Sequence, residues 1–353
     1  YHSRSRILRI PPEPFRVLKM SAIHFYHHAA EARRALGLPG QPETDRVEEL
    51  YPVLVNSYYL GLTDPAAGAG DPIFRQWHPD PRELDDRESS CDPLAETEQM
   101  PVARIIHRFA DRVVLLATGR CAMRCRFCFR KRAWTAGTEL ADIGDAELAE
   151  ARAYLDCHPA VKEVLISGGD PLFLPTARLE RILDAVAASP AIEVIRVASR
   201  LPAVLPMAVS EEKIALLARY EGLWLATHFN HPREVSPEAE SCLRQLVRAG
   251  IPVINQTVLL KGVNDDAAIL EALFRKLIRL KVKPHYLFHV DPVRGVRHFA
   301  TGIAAGLEAL RAFRGRLSSL AVPTFAIDLP EGGGKVALQP SYEQDGCYFD
   351  IHE

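Results

Sequence analysis

From residue 101 onward the chain alternates short apolar runs with amphipathic stretches of helical period. This rhythm constrains the fold more than any other feature. The runs cover 113–118, 161–167, 194–199, 224–229, 253–260 and 284–290, and the helical patterns between and after them cover 145–156, 176–188, 210–220, 237–249, 265–280 and 303–318. In the second pattern Leu179, Ile182, Leu183 and Val186 recur at i, i+3, i+4 and i+7, a stripe that faces a core. The fourth begins Ser236-Pro237, a side-chain cap with proline at the first helical position. Strands alternating with helices predict a parallel sheet with right-handed crossovers. Six such units predict an α/β fold, a partial or closed (β/α)6 barrel of TIM type, with chemistry at the carboxyl ends of the strands.

Polar residues collect at those ends. The first strand runs into Cys121-Ala-Met-Arg-Cys125-Arg-Phe-Cys128, and the second into Ser167-Gly-Gly-Asp170. Ser199-Arg200 follows the third, and Thr227, His228, Asn230 and His231 follow the fourth. The fifth carries Asn255 and Gln256, and the sixth ends at His289 and Asp291. Six sets on one rim argue for a single site. Three cysteines spaced four and then three apart can converge on a soft metal centre. A 4Fe–4S cluster takes four ligands, so three cysteines leave one iron open. A closed zinc site wants a fourth Cys or His nearby, and only His107 offers itself.

The first hundred residues read as a helical and loop extension. Residues 101–320 form the barrel core, and 321–353 a short C-terminal segment. In that segment stands Asp328-Leu-Pro-Glu-Gly332-Gly-Gly-Lys335. The motif lacks P-loop spacing. It reads either as a turn with a surface lysine or as a mobile loop carrying a Schiff-base lysine. The formal net charge of -2 gives no case for nucleic acid or an anionic membrane. No apolar run has the length of a spanning helix. Seven cysteines, three of them clustered, do not form a disulfide framework, and no signal-peptide core is evident near the start. The expected compartment is the reducing cytoplasm.

The cysteine loop, with Phe127 before its last cysteine, resembles the radical S-adenosylmethionine (SAM) signature. Together with Lys335 it resembles the lysine 2,3-aminomutase family, radical SAM enzymes that also use pyridoxal 5′-phosphate (PLP). The likeness runs through most of 50–340. It takes in Arg108-Phe-Ala-Asp-Arg112, Ser167-Gly-Gly-Asp170, Ser199-Arg-Leu-Pro-Ala-Val-Leu-Pro206, Thr227-His-Phe-Asn-His-Pro232, Asn255-Gln256 and Gly262-Val-Asn-Asp265. The resemblance implies that Cys121, Cys125 and Cys128 hold a 4Fe–4S cluster and that Lys335 binds PLP. It implies that Arg108 and Arg112 grip the PLP phosphate, a task suited to guanidinium forks. Ser167, Gly168, Gly169, Asp170 and Gln256 would line the SAM site, with His228 beside them. Arg130 would hold the substrate carboxylate, while Asp291 and Asp328 would hold the distal ammonium of lysine.

The implied reaction moves the amino group of L-lysine from the α- to the β-carbon by way of a 5′-deoxyadenosyl radical. It needs an electron donor such as flavodoxin or ferredoxin. A homo-oligomer, dimer or tetramer, is expected. The family's structural zinc is not, because only Cys347 lies in the tail and Asp266 follows Asn264-Asp265 where zinc-binding members have a cysteine. Phe109 and Phe288 stand where the family pattern has tyrosines. The alternatives are the same migration on arginine, a lysine mutase serving elongation factor P modification, and a non-catalytic iron–sulfur electron carrier. The carrier would need neither Lys335 nor Arg130.

Overall fold

The computed structural model describes residues 23–348, apart from residues 87, 136, 138, 345 and 346. Nine strands make one sheet: β1 (Ile105–Phe109), β2 (Arg112–Thr118), β3 (Glu163–Gly168), β4 (Val194–Ala198), β5 (Leu223–Thr227), β6 (Val253–Leu259), β7 (Val282–His289), β8 (Thr324–Leu329) and β9 (Gly334–Leu338). Strands β2 through β8 run parallel in sequence order. An antiparallel strand borders them at each edge, β1 on β2 and β9 on β8. All six expected parallel strands are present. The sheet is longer than expected by a seventh parallel strand, β8, and by the two edge strands.

Helices α1 (Asp145–Cys157), α2 (Thr176–Ala187), α3 (Glu211–Leu217), α4 (Pro237–Arg248), α5 (Ala267–Arg279) and α6 (Ile303–Phe313) supply the crossovers. The four apolar residues of the α2 stripe are all buried. Ser236 Oγ accepts from Ala239 N at 3.1 Å and caps α4, and Asp266 Oδ1 accepts from Ala268 N at 2.6 Å and caps α5. Such caps satisfy amide groups that the first helical turn leaves unpaired.

Residues 23–100 wrap the barrel with short helices such as Ala29–Ala35 and Asp45–Leu50. This wrap fixes the cysteine loop through backbone contacts. Leu54 O accepts from Arg124 N, and Gln76 O accepts from Arg126 N, each at 2.9 Å. It also bridges the two sheet edges. Residues 92–99 form a strap in which Pro93 O accepts from Glu331 N at 3.0 Å, and Arg108 on β1 donates to Leu94 O at 2.6 Å and Gln99 Oε1 at 2.8 Å. A β-carbon at Gly332, which sits at φ +77°, would meet the Gln99 amide at 2.7 Å, so the loop before Lys335 lies directly on this strap.

Candidate active site

Cys121, Cys125 and Cys128 leave the carboxyl end of β2, as expected. Their side chains interact electrostatically with one another. Burial, then Asp170 and the two neighbouring thiols, push the Cys121 thiol up. Among the described residues no three His, Cys, Asp or Glu side chains come close enough to share a single metal ion. Three thiols on one loop suit a four-iron cluster, which takes one thiolate per iron. His107 is engaged elsewhere, its Nδ1 2.6 Å from the Tyr154 hydroxyl.

The residues after β3 do two jobs. A β-carbon at Gly168 or Gly169 would run into Thr118 O or Arg120 O, so these glycines let the strand end lie against the cysteine loop. Gly168 also holds φ at +111°. Asp170 is buried and accepts from Ser199 Oγ at 2.6 Å, Arg200 N at 2.8 Å and Leu172 N at 3.1 Å. Burial pushes its carboxyl up to about 6 against those hydrogen bonds. Ser167 Oγ accepts from Arg130 Nη1 at 3.0 Å, which ties this loop to the cation expected to hold substrate. His228 lies with its ring centroid 5.5 Å from that of Phe127 and its Nε2 3.0 Å from Asn230 Oδ1. Burial, then Arg200, push its imidazole down to about 3, so it is neutral at physiological pH. Gln256 is half-buried on β6.

The lysine end differs from a free loop. Lys335 is the second residue of β9 and pairs in register with Asp328 on β8. Its Nζ donates to Asp328 Oδ2 at 2.6 Å. It lies 4.2 Å from the Phe288 ring centroid and 5.4 Å from that of Tyr286, two rings that stack at 4.9 Å. The flexible glycines are in the preceding turn, where Glu331, Gly332 and Gly334 all have positive φ. Arg108 Nη1 is 4.0 Å from Asp328 Oδ1 and so belongs to this group. Arg112 does not join it directly: its guanidinium pairs with Asp111 and stacks on Phe109 at 4.0 Å. Phe109 in turn lies 3.7 Å from where a β-carbon of Gly334 would sit. Asp291 completes the group, since burial, then the Asp328 carboxylate, push its carboxyl up to about 7 while Lys335 pulls the other way.

Arg130 is not a bare cation. Glu96, a buried residue of the strap, accepts from Arg130 Nε at 3.0 Å and Nη2 at 2.7 Å, and from Arg132 Nη2 at 2.9 Å. Burial raises the Glu96 carboxyl, but Arg130 and Arg132 outweigh it and hold the group low. A side-on carboxylate uses two of the five guanidinium donors, and Ser167 takes one at Nη1. Donors therefore remain at the end of the fork for a further carboxylate. Behind the cysteine loop a second buried set ties the wrap to the barrel. Glu83 pairs with Arg126 at 2.5 Å and Lys131 at 2.6 Å.

The radical SAM superfamily model matches residues 115–273, and the lysine-2,3-aminomutase model matches residues 308–344. A relative from Aquifex aeolicus is 44% identical over 308 residues, covering 86% of this chain and 82% of its own length. The L-lysine 2,3-aminomutase of Fusobacterium nucleatum is 39% identical over 298 residues, covering 84% and 69%. The chain belongs to the lysine 2,3-aminomutase family. The glutamate 2,3-aminomutase of Clostridioides difficile is also similar, at 35% identity over 288 residues, covering 82% and 68%.

Lysine 2,3-aminomutases work with a 4Fe–4S cluster, SAM and PLP, and the residues present fit all three. The three thiols suit the cluster. A lysine with an aromatic wall and a nearby arginine suits a phosphorylated aromatic aldehyde. The neutral His228 and half-buried Gln256 lie on the same rim as the cysteines. Glu96, Glu234 and Glu83 were missed from the sequence, and Arg200 was placed on the rim without a role of its own. The signal that could have found the acids is Arg126, Arg130, Lys131 and Arg132, a basic run within an otherwise packed loop, since buried cations need carboxylate partners.

Proposed function

We propose that this chain is a radical SAM, PLP-dependent aminomutase that converts L-lysine to β-lysine. Cys121, Cys125 and Cys128 hold the cluster, and Ser167, Gly168, Gly169, Asp170, His228 and Gln256 border SAM. Lys335 holds PLP, with Arg108 on its phosphate and Arg112 backing Phe109 below. When bound, these groups supply a hydrogen-abstracting carbon radical and an aldehyde that holds the migrating nitrogen. The protein's share is binding, orientation and exclusion of water. Arg130, oriented by Glu96, takes the α-carboxylate. Asp291 and Asp328 take the ammonium at the far end of the substrate.

The observation that carries the substrate reading is the 2.6 Å ion pair between Lys335 Nζ and Asp328. Asp328 already receives a primary ammonium on a four-carbon stem, the group that lysine itself brings. With PLP bound, Lys335 would no longer offer a free ammonium, and Asp328 and Asp291 would be left to face the substrate. Glutamate would present a carboxylate to these two acids, and like charges in a poorly solvated site repel strongly. Reconstituted enzyme supplied with SAM, PLP and a reductant should convert L-lysine, with L-arginine slower and L-glutamate inert. Preferred turnover of glutamate or arginine overturns the lysine assignment.

Among the described residues no helix is long and apolar enough to cross a membrane. We place the enzyme in the cytoplasm as a homo-oligomer fed by a flavodoxin or ferredoxin, because a labile reduced cluster needs a reducing compartment.

A further inference from the structure

Arg200 follows β4 and is buried beside the cysteine loop. Its Nη1 donates to Cys125 Sγ at 2.8 Å. Its Nη2 donates to Glu234 Oε1 at 2.6 Å and Gln76 Oε1 at 2.5 Å. Its Nε reaches His228 O at 3.3 Å, and its backbone N donates to Asp170 Oδ2 at 2.8 Å. The guanidinium also lies 5.0 Å from the centroid of the Phe127 ring. Glu234 is fixed in turn. It accepts from Tyr59 OH at 2.7 Å, Asn230 N at 2.6 Å and His231 N at 2.9 Å. A side chain held from this many directions cannot swing away. It presents a fixed positive charge and a hydrogen-bond donor to one cysteine sulfur, with one carboxylate behind it.

We propose that Arg200 sets the electron affinity of the iron–sulfur cluster through Cys125, and that Glu234 holds this effect back. The reasoning is electrostatic. Reduction adds one electron, and so one negative charge, to a cluster held by thiolates. A hydrogen bond to a ligand sulfur and a nearby cation both stabilise the more negative state. The buried Glu234 carboxylate sits on the other side of the same guanidinium and cancels part of that pull. Arg200 and Glu234 are buried, so solvent screens them little. Asp170 and Gln76 act as positioning residues for the cation. The inference rests on Cys125 as a cluster ligand and is independent of which amino acid is the substrate.

The test is a redox titration with dithionite of anaerobically reconstituted full-length enzyme, read by the paramagnetic signal of the reduced cluster. No amino acid or PLP is added. Arg200→Gln should lower the ratio of reduced to oxidised cluster at a fixed potential by tenfold or more, which is 59 mV or more for a one-electron couple. Glu234→Gln should raise that ratio. Arg200→Lys, which keeps the charge and loses the fork, should fall between wild type and Arg200→Gln. Iron content is measured beside each titration. If Arg200→Gln fails to load a cluster, the opposite shift in Glu234→Gln still decides the matter. Ratios within twofold of wild type in the loaded variants, or shifts of the same sign for Arg200→Gln and Glu234→Gln, overturn the proposal. A separate loss of iron in Cys125→Ala checks the ligand assignment itself, so a failure there is told apart from a failure of the tuning.

Discussion

Replacing Glu83 by Gln should destabilise the protein severely, by a size that can be worked from its partners. Glu83 is buried and pairs with Arg126 and Lys131, whose side chains are 0% and 1% exposed. Burial raises the Glu83 carboxyl, but Arg126 and then Lys131 reverse this and hold it low. Burial lowers the Lys131 ammonium even against the pull of Glu83. Glutamine keeps the shape and still offers Oε1 to Asp80 N, which donates to it at 3.0 Å. The charge is lost, and an amide NH2 replaces the Oε2 that accepted from Arg126 Nη2 and Lys131 Nζ.

Lys131 then has two carbonyl oxygens, of Arg126 and Gly295, and no anion. Its cheapest escape is to lose its proton. Neutralising a lysine of ordinary pKa 10.5 at pH 7 costs about 5 kcal/mol at about 1.36 kcal/mol per unit. This caps the Lys131 share and agrees with the roughly 3–5 kcal/mol for breaking a buried pair. At about 2.1 cal/mol/K per residue, 353 residues give about 0.7 kcal/mol/K, so Tm should fall by about 4–7 °C.

The pH dependence gives a sharper check. A lysine whose folded pKa is depressed makes the unfolded state the better proton binder, so stability rises with pH. The deficit of Glu83→Gln should therefore narrow by about 1.4 kcal/mol per unit above pH 7, until wild-type Lys131 titrates as well. Adding Lys131→Met should recover much of the loss. Calorimetric melts from pH 6 to 9 decide it. A Tm within 1 °C of wild type, or a deficit that ignores both pH and the second change, refutes the reasoning.

Four further outcomes are expected. Asp291→Asn should stabilise the protein at pH 8 by a few kcal/mol and hardly at all at pH 4. A carboxyl raised to about 7 by burial and by Asp328 costs stability that grows as pH rises from 3.8 to about 7; equal melts at pH 8 would contradict this, and lysine turnover should fall by orders of magnitude. Glu96→Gln should raise KM for lysine about tenfold or more, because a charge-assisted hydrogen bond worth about 1.5–3 kcal/mol orients Arg130. An unchanged KM would show that Arg130 needs no such support. Borohydride should fix PLP to the peptide containing Lys335, while replacing Cys91, Cys157, Cys242 and Cys347 together with Ala should leave iron content unchanged; label on Lys261 or Lys283, or loss of iron, would count against these assignments.

The parallel strands were legible because each is a short apolar run, the mark of a strand covered on both faces. Strand β8 was not, because Thr324-Phe-Ala-Ile-Asp-Leu329 lies between Pro323 and the Pro330-Glu-Gly-Gly-Gly stretch and merges into loop punctuation. β1 hides for another reason: Ile105-Ile-His-Arg-Phe109 has no alternation, since Arg108 serves the site and not a solvent face. The cysteines could be read because their ligand spacing is local. Glu96 could not. Its stretch, 79–98, is acidic and Pro-rich, and in sequence a buried glutamate there looks like a solvated one. Its partners Arg130 and Arg132 are brought to it only by the barrel. Lys335 was recognised, but its place in a strand was masked by the glycines before it.

The strap that joins Pro93 to Glu331 has a consequence for how the protein is made. Each β/α unit can add to the last through contacts near in sequence, so the barrel can grow as the chain lengthens. The contact between residues 93 and 331 closes a very long loop, and long closures come late because their entropy must be met before their contacts help. Arg108, Gln99 and the Lys335 hairpin therefore take their places after the cysteine loop has its walls. The order expected from these separations is a formed barrel first and the seat for the aldehyde cofactor afterwards, with the iron–sulfur end ready to be assembled before the amino-acid end.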